Sequence, residues 1–248
     1  CSFLLNNGRP VTGVVKCVYS CSSKYIVESK SIKLYFNSFN MTKMAAEKNK
    51  AIKAFEDISS RDLSELLGTN VQVKFQDGDR VNSKISSPDK EWDIENYLNV
   101  DLLDDHKDFT YTQYTEDPSL LEGIDRKRDL EQKFYSGLLK SNCRVTSQPD
   151  WGDVFIYIKS KIAIDAHSIK NYVVSYRDEC HFHEEICECF YKRLKDAFDP
   201  SELLVMCLYA RRGGIDINPV RASSQELIEK YAANLIDPEA VHIKTSKQ

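Results

Sequence analysis

The chain has 248 residues, 42% of them hydrophobic and 29% charged, with a formal charge of −4 and a pI near 5.8. It is long enough for one large domain or two small ones around a sizeable core, and its composition is that of an ordinary globular protein. The acidic balance leaves no electrostatic footprint for nucleic-acid binding, which calls for a basic face, and no apolar run approaches the roughly 18 residues of a membrane span.

In chain order, residues 2–6 and 11–20 flank Asn7-Gly8, a turn signal that predicts a β-hairpin. After a loop holding Ser22 and Ser23 the period changes. Ile32, Tyr35, Phe36 and Phe39 fall at i, i+3, i+4 and i+7, which predicts a helix from Ser31. Further helices are expected at 44–55 and 62–67, ended by Gly68-Thr69-Asn70, and 71–75 alternates as a strand. Residues 77–130 are acidic and carry Asp-Gly and Ser-Pro turn signals, so an insertion or crossover is expected between a first module at 1–76 and a second at 131–248. A helix at 128–139 is expected to lead into Cys143. Strands at 154–158 and near Ile162, helices at 168–176 and 184–198, and strands at 203–210 and from Ile215 onward should follow.

The second half repeats the first. The segment from Ser168 to Tyr176 aligns with that from Ser31 to Phe39 at a constant offset, with identities at Ser, Ile, Lys, Tyr and Ser. Ile169, Tyr172, Val173 and Tyr176 match Ile32, Tyr35, Phe36 and Phe39, all on one helix face. Similarity at the scale of a module argues for duplication. The copies differ just before the helix, Glu28-Ser29-Lys30 against Asp165-Ala166-His167. If the halves have divided their labour, ligand contacts belong at such unequal places.

Cys143 lies in a polar run with Ser141, Asn142, Arg144 and Thr146, near water and a positive charge, conditions that lower a thiol pKa. Asp150, between Pro149 and Trp151, supplies a carboxylate that a turn could fold back beside the sulfur. A thiol and a carboxylate without an adjacent His point to addition at an electrophilic carbon with proton relay, rather than to a protease triad. The competing reading is a structural cysteine in a loop. Glu28, Ser29 and Lys30 read as an N-cap or as an anion site at a helix N-terminus, with Lys33 adding charge.

Cys180, His181, His183, Cys187 and Cys189 offer zinc donors, yet Cys187 and Cys189 stand two apart on a predicted helix and so face different ways. Core thiols are an equally good reading of that cluster. Arg211-Arg212-Gly213-Gly214 reads as a tight turn or as a phosphate cradle, with Asp216 and Asn218 bracing it. No G-x-G-x-x-G follows a strand, so a Rossmann site is not supported. Eight cysteines at irregular spacings read as reduced cytosolic thiols, and the N-terminus does not read as a signal peptide. The chain opens at Cys1 rather than Met, so a preceding segment is expected.

Four blocks in order carry a resemblance: ESKSIKLYFNSFN from Glu28, SNC-x-VT-x-QPDW around Cys143 and Asp150, FHEE from Phe182, and RRGGIDINPVR from Arg211. Together they resemble the two-module form of NADPH-dependent 7-cyano-7-deazaguanine reductase, the nitrile reductase of queuosine biosynthesis. The resemblance implies an α+β tunnelling fold (T-fold), two tandem ββααββ-like modules with antiparallel sheets inside and helices outside, in a cytoplasmic homodimer. It implies a four-electron reduction of a nitrile to an amine with two NADPH. Cys143 would be the nucleophile that forms a thioimide and Asp150 the proton donor. Val27, Glu28, Ser29, His183 and Glu184 would contact 7-cyano-7-deazaguanine, and Ser29, Lys30, Arg212 and Gly213 would contact NADPH. Val27 stands where an Ile is common in the family. Glu184 suits its role physically, since a carboxylate can accept two hydrogen bonds from the N–H and amino edge of a guanine-like base. No metal, nucleic acid or membrane is implied, and the pocket is expected where the modules meet. Two competing readings are a non-catalytic purine- or pterin-binding protein of the same fold, which would not need Cys143, and a zinc-dependent enzyme resembling GTP cyclohydrolase built on the 180–189 cluster.

Overall fold

Strand β1 (Ser2–Leu4) and strand β2 (Pro10–Tyr19) form the expected antiparallel hairpin, with Gly8 at a φ of 84° in the connection. The computed structural model describes residues 1–78, 96–105, 108–240, 244–245 and 247–248. They fall into two compact units. One holds 1–78 with 108–112, and the other holds 96–105 with the described residues from Gln113 onward.

In the first unit β3 (Val71–Asp77) pairs antiparallel with β2, giving a three-stranded sheet. Helices α1 (Ser29–Asn37) and α2 (Lys48–Leu67) accompany it. Phe55 is fully buried, with the rings of Phe3, Phe39 and Phe75 at 5.1–5.6 Å around it. The two helices expected at 44–55 and 62–67 are one continuous helix, α2. Its polar middle misled the reading, because Glu56 and Ser60 face β3 rather than solvent. Glu56 accepts from the Phe75 N–H at 3.0 Å and from Lys74 Nζ at 2.9 Å, and the Ser60 hydroxyl accepts from the Val73 N–H at 3.0 Å. Gly68, at a φ of 61°, caps the helix as the sequence predicts.

The second unit is built on β5 (Gly123–Ser136), β7 (Pro149–Ile164) and β9 (Glu202–Tyr209), antiparallel neighbours. Strand β4 (Leu98–Asn99) runs parallel beside β5, and β10 (Val220–Ala222) closes the other edge. Strand β6 (Lys140–Cys143) pairs with the start of β7 and with β8 (Cys180–His181). Helices α3 (Ala166–Ser175), α4 (His183–Phe198), α5 (Gln225–Tyr231) and α6 (Ala233–Ile236) complete the α+β architecture.

The helix expected at 128–139 is instead part of β5. Leu130, Glu131, Gln132 and Lys133 favour a helix in isolation, but residues 130–136 pair with β7 and bury Phe134 and Tyr135, and burial overrides propensity. The strands expected at 154–158 and near Ile162 are one strand, β7. The strand expected from Ile215 begins only at Val220, because Ile215 closes a two-residue turn by exchanging backbone hydrogen bonds with Arg212. Gly213 and Gly214 supply the positive φ values, 57° and 85°, that such a turn demands. Of the segment expected to be an insertion, 79–95 lies outside the described residues.

The repeat extends to the helix caps. Glu28 accepts from the Lys30 and Ser31 N–H groups before α1, and Asp165 accepts from the His167 and Ser168 N–H groups before α3. Burial separates the copies: α1 buries no residue, whereas α3 buries seven of its ten.

Candidate active site

Cys143 ends β6, and a turn returns the chain as β7, so that Ser141 pairs with Asp150 across the hairpin. The turn is closed by the Cys143 N–H to the Gln148 carbonyl at 2.8 Å and the Ser147 N–H to the Cys143 carbonyl at 2.9 Å. Strand β8 lies parallel to β6 on its other side, with His181 beside Cys143, and delivers the chain to His183 at the start of α4. Tyr209, at the end of β9, pairs with Gly152 of β7, and the following turn brings Arg212 back to Asp150. Residues distant in sequence therefore meet because β6, β8 and β9 end where β7 begins.

Cys143 is 6% exposed, but its surroundings are polar. Its pKa is pulled down to about 7, first by the Thr146 hydroxyl, then by the Thr146 and Val145 N–H groups and the Arg212 side chain, against burial that pushes it up. Asp150 is 5% exposed and accepts from Arg212 Nε at 2.7 Å and also from Arg212 Nη2. Its other oxygen stands 3.2 Å from His183 Nε2. One guanidinium thus touches both the thiol and the carboxylate. Arg144, the basic neighbour in sequence, turns away: it pairs with Glu185 at 2.9 Å and lies over the Phe182 ring.

Three buried polar atoms here have no partner among the described residues: Ser141 Oγ, His183 Nδ1 and the Tyr209 hydroxyl. Such orphans cost about 1–3 kcal/mol each, and their concentration beside Asp150 is the mark of a site rather than of a core built for stability. Sequence reasoning placed Ser141 and Thr146 in the polar surroundings of Cys143 but missed Tyr209, which belongs to no residue pattern that announces chemistry.

Glu184 is exposed on the first turn of α4 and makes no hydrogen bond or ion pair among the described residues. In the first unit Val27 is half-buried, and Glu28, Ser29 and Lys30 are exposed. Both Glu28 oxygens are engaged in the cap of α1, at 2.8 Å to the Lys30 N–H and 2.7 Å to the Ser31 N–H, which holds its pKa down. Gly213 has nothing within 4 Å of where a Cβ would stand, so its backbone is open to close approach. Arg211 and Asp216 form a two-bond ion pair at 2.8 and 3.0 Å, joined by Lys244, so Asp216 braces the turn as expected, whereas Asn218 accepts from Gln248 at 2.8 Å.

The cysteines of the 180–189 stretch do not converge. Cys187 is buried with its thiol 3.3 Å from the Pro219 carbonyl, Cys180 is exposed, and among the described residues no group of three His, Cys, Asp or Glu is placed to hold a metal. Among the described residues, no helix is long and apolar enough to cross a membrane.

Comparison with known proteins places both ends of the chain in one family. Residues 1–75 match the family model described as nitrile reductase, 7-cyano-7-deazaguanine-reductase N-term, and residues 149–227 match the one described as QueF-like protein. The NADPH-dependent 7-cyano-7-deazaguanine reductase of Colwellia psychrerythraea is 36% identical over 228 residues, 91% of this chain and 75% of that protein. The proteins of the same name from Cupriavidus metallidurans and Psychrobacter cryohalolentis are 37% and 34% identical, over 90% and 92% of this chain and 74% and 78% of theirs.

Proposed function

The chain belongs to the NADPH-dependent 7-cyano-7-deazaguanine reductase family, and from that premise we propose that it reduces the nitrile of 7-cyano-7-deazaguanine to the amine of 7-aminomethyl-7-deazaguanine, in queuosine biosynthesis, through a thioimide on Cys143. The observation that carries the reading is the single guanidinium shared by a thiol poised near neutrality and a buried carboxylate.

The thiolate of Cys143 adds to the nitrile carbon, and the nitrile nitrogen takes a proton from Asp150, giving a covalent thioimide. In the ligand-free protein Arg212 donates to one Asp150 oxygen and so fixes where the carboxylate sits beside the thiol. The thioimide accepts a hydride and a proton to give a thiohemiaminal. Expulsion of the Cys143 thiolate then leaves an imine, which accepts a second hydride and a proton to become the amine. Two NADPH molecules, bound in turn, would each supply one hydride. In the first unit Ser29 and Lys30, exposed on the first turn of α1, and in the second Arg212 with the open backbone of Gly213, are each suited to phosphate oxygens. Glu184 accepts the N–H and amino edge of the base, with Val27, Glu28, Ser29 and His183 as further contacts. For Glu28 this means exchanging at least one cap bond for the ligand.

The element order ββααβ in the first unit, and in the second β5 and β7, helices α3 and α4, then β9 and β10, with the short strands β6 and β8 interposed, support a tandem tunnelling fold, which would assemble as a homodimer. All eight cysteines are free, which suits a reducing cytoplasm. The test is intact-protein mass spectrometry with the nitrile alone. The expected result is a gain equal to the mass of the nitrile, absent in Cys143→Ala; an adduct that persists in that variant overturns the assignment. Stoichiometric zinc lost together with activity would favour the cyclohydrolase-like reading instead.

A further inference from the structure

Asp150 is contacted on both oxygens, by Arg212 on one and His183 on the other, so its orientation depends on what holds those two partners. The imidazole of His183 lies flat on the Tyr209 ring, with centroids 3.9 Å apart and planes at 5°. His183 is 5% exposed and Tyr209 is fully buried. Tyr209 can lie there because it stands opposite Gly152 on the neighbouring strand. A Cβ at Gly152 would come within 3.1 Å of the Tyr209 ring carbons Cδ1 and Cε1 and within 3.1 Å of Leu139 Cδ2. Gly152 and Asp150 are two apart on one strand and so share a face. The stack therefore rises beside Asp150.

We propose that Tyr209 is a positioning residue for the nitrile addition: its ring face fixes the plane of the His183 imidazole, and through it the Asp150 carboxylate that serves the reacting nitrogen. The physical reason is that an imidazole held by one contact can turn about its terminal torsion, which is broad. With Nδ1 unpartnered among the described residues, the 3.2 Å contact at Nε2 is the polar restraint on the ring and the Tyr209 face is the stacked one. Tyr209 offers its face and not its hydroxyl, which has no partner. The ring is what the position uses.

This inference rests on the proposed nitrile chemistry for its kinetic consequence but not for its structural one, and the experiment separates the two. In ligand-free protein labelled at histidine, the Tyr209 ring current should shift the His183 ring protons upfield. That shift should survive in Tyr209→Phe and collapse in Tyr209→Leu. Rates of adduct formation with 7-cyano-7-deazaguanine should fall at least tenfold in Tyr209→Leu and stay within about twofold in Tyr209→Phe. The loss should vanish when Tyr209→Leu is made in a His183→Ala background, because a residue acting through another has nothing left to act on. Tyr209→Met provides the same comparison if the Leu variant does not fold. An unshifted His183 spectrum in the Leu or Met variant, a Phe variant as impaired as Leu, or additive losses in the double variant would overturn the proposal. A wild-type protein that shows the ring-current shift but forms no adduct would overturn the nitrile reading and leave the positioning role standing.

Discussion

Cys143 titrates near 7 because the Thr146 hydroxyl, two backbone N–H groups and the Arg212 side chain act on one sulfur and outweigh its burial. The folded-state value lies below the ordinary thiol value of 9.0, so the folded protein favours thiolate. The resulting stabilisation is complete above about pH 9, shrinks as the pH falls, and is gone below about 7. Alkylation of Cys143 by iodoacetamide, followed by peptide mass spectrometry across pH 5–10, should rise with a midpoint near 7. Thr146→Val should move that midpoint toward 9.0; an unmoved midpoint would show that Thr146 does not set the thiol. Asp150→Asn should slow adduct formation strongly while binding of the nitrile is largely kept, and an unchanged rate would remove Asp150 from the mechanism. The sequence made both residues legible through their local motif and the turn that joins them. It pointed to the wrong cation, because adjacency to Arg144 says nothing of where its side chain goes. The true partner, Arg212, arrives through strand pairing that no local pattern encodes.

Among elements, the hairpin at β1–β2, the helix from Ser31 and the Gly68 cap were legible because turn chemistry and helical period are local properties. Strand β5 was not, because its residues favour a helix and only pairing with β7 makes them a strand. Gln132 shows the difference. Its side chain accepts from the Ile164 N–H at 2.8 Å and donates to the Ile164 carbonyl at 3.1 Å, bridging the strands near the irregularity between Asp125 and Leu130. In a helix Gln132→Ala would be stabilising by a few tenths of a kcal/mol. In this strand it should cost about 1–2 kcal/mol by urea denaturation, since both backbone groups of Ile164 lose their partner. The sign of the change decides between the two, and a stabilised variant would refute the strand.

Across the whole molecule, the likeness between residues 31–39 and 168–176 extends to which positions are apolar but not to how deeply they are buried. Helix α3 is covered by segments of the stretch whose role the sequence left blank. Lys170 Nζ donates to the Leu103 carbonyl at 2.8 Å and pairs with Asp105, and the Tyr172 hydroxyl donates to Glu116 at 2.8 Å. At the matching place in the first copy Lys33 is exposed. The same residue type at one repeat position is therefore a surface charge in one unit and a fully buried ammonium in the other. Lys170→Met should destabilise the second unit by about 3–5 kcal/mol, because it leaves the Asp105 carboxylate without this ammonium in a nearly buried place. Lys33→Met should change stability by no more than about 0.5 kcal/mol, as befits an exposed helix position. Comparable losses in the two variants by denaturant unfolding would mean that α1 is covered like α3 and that the copies have not diverged in the way their burial indicates.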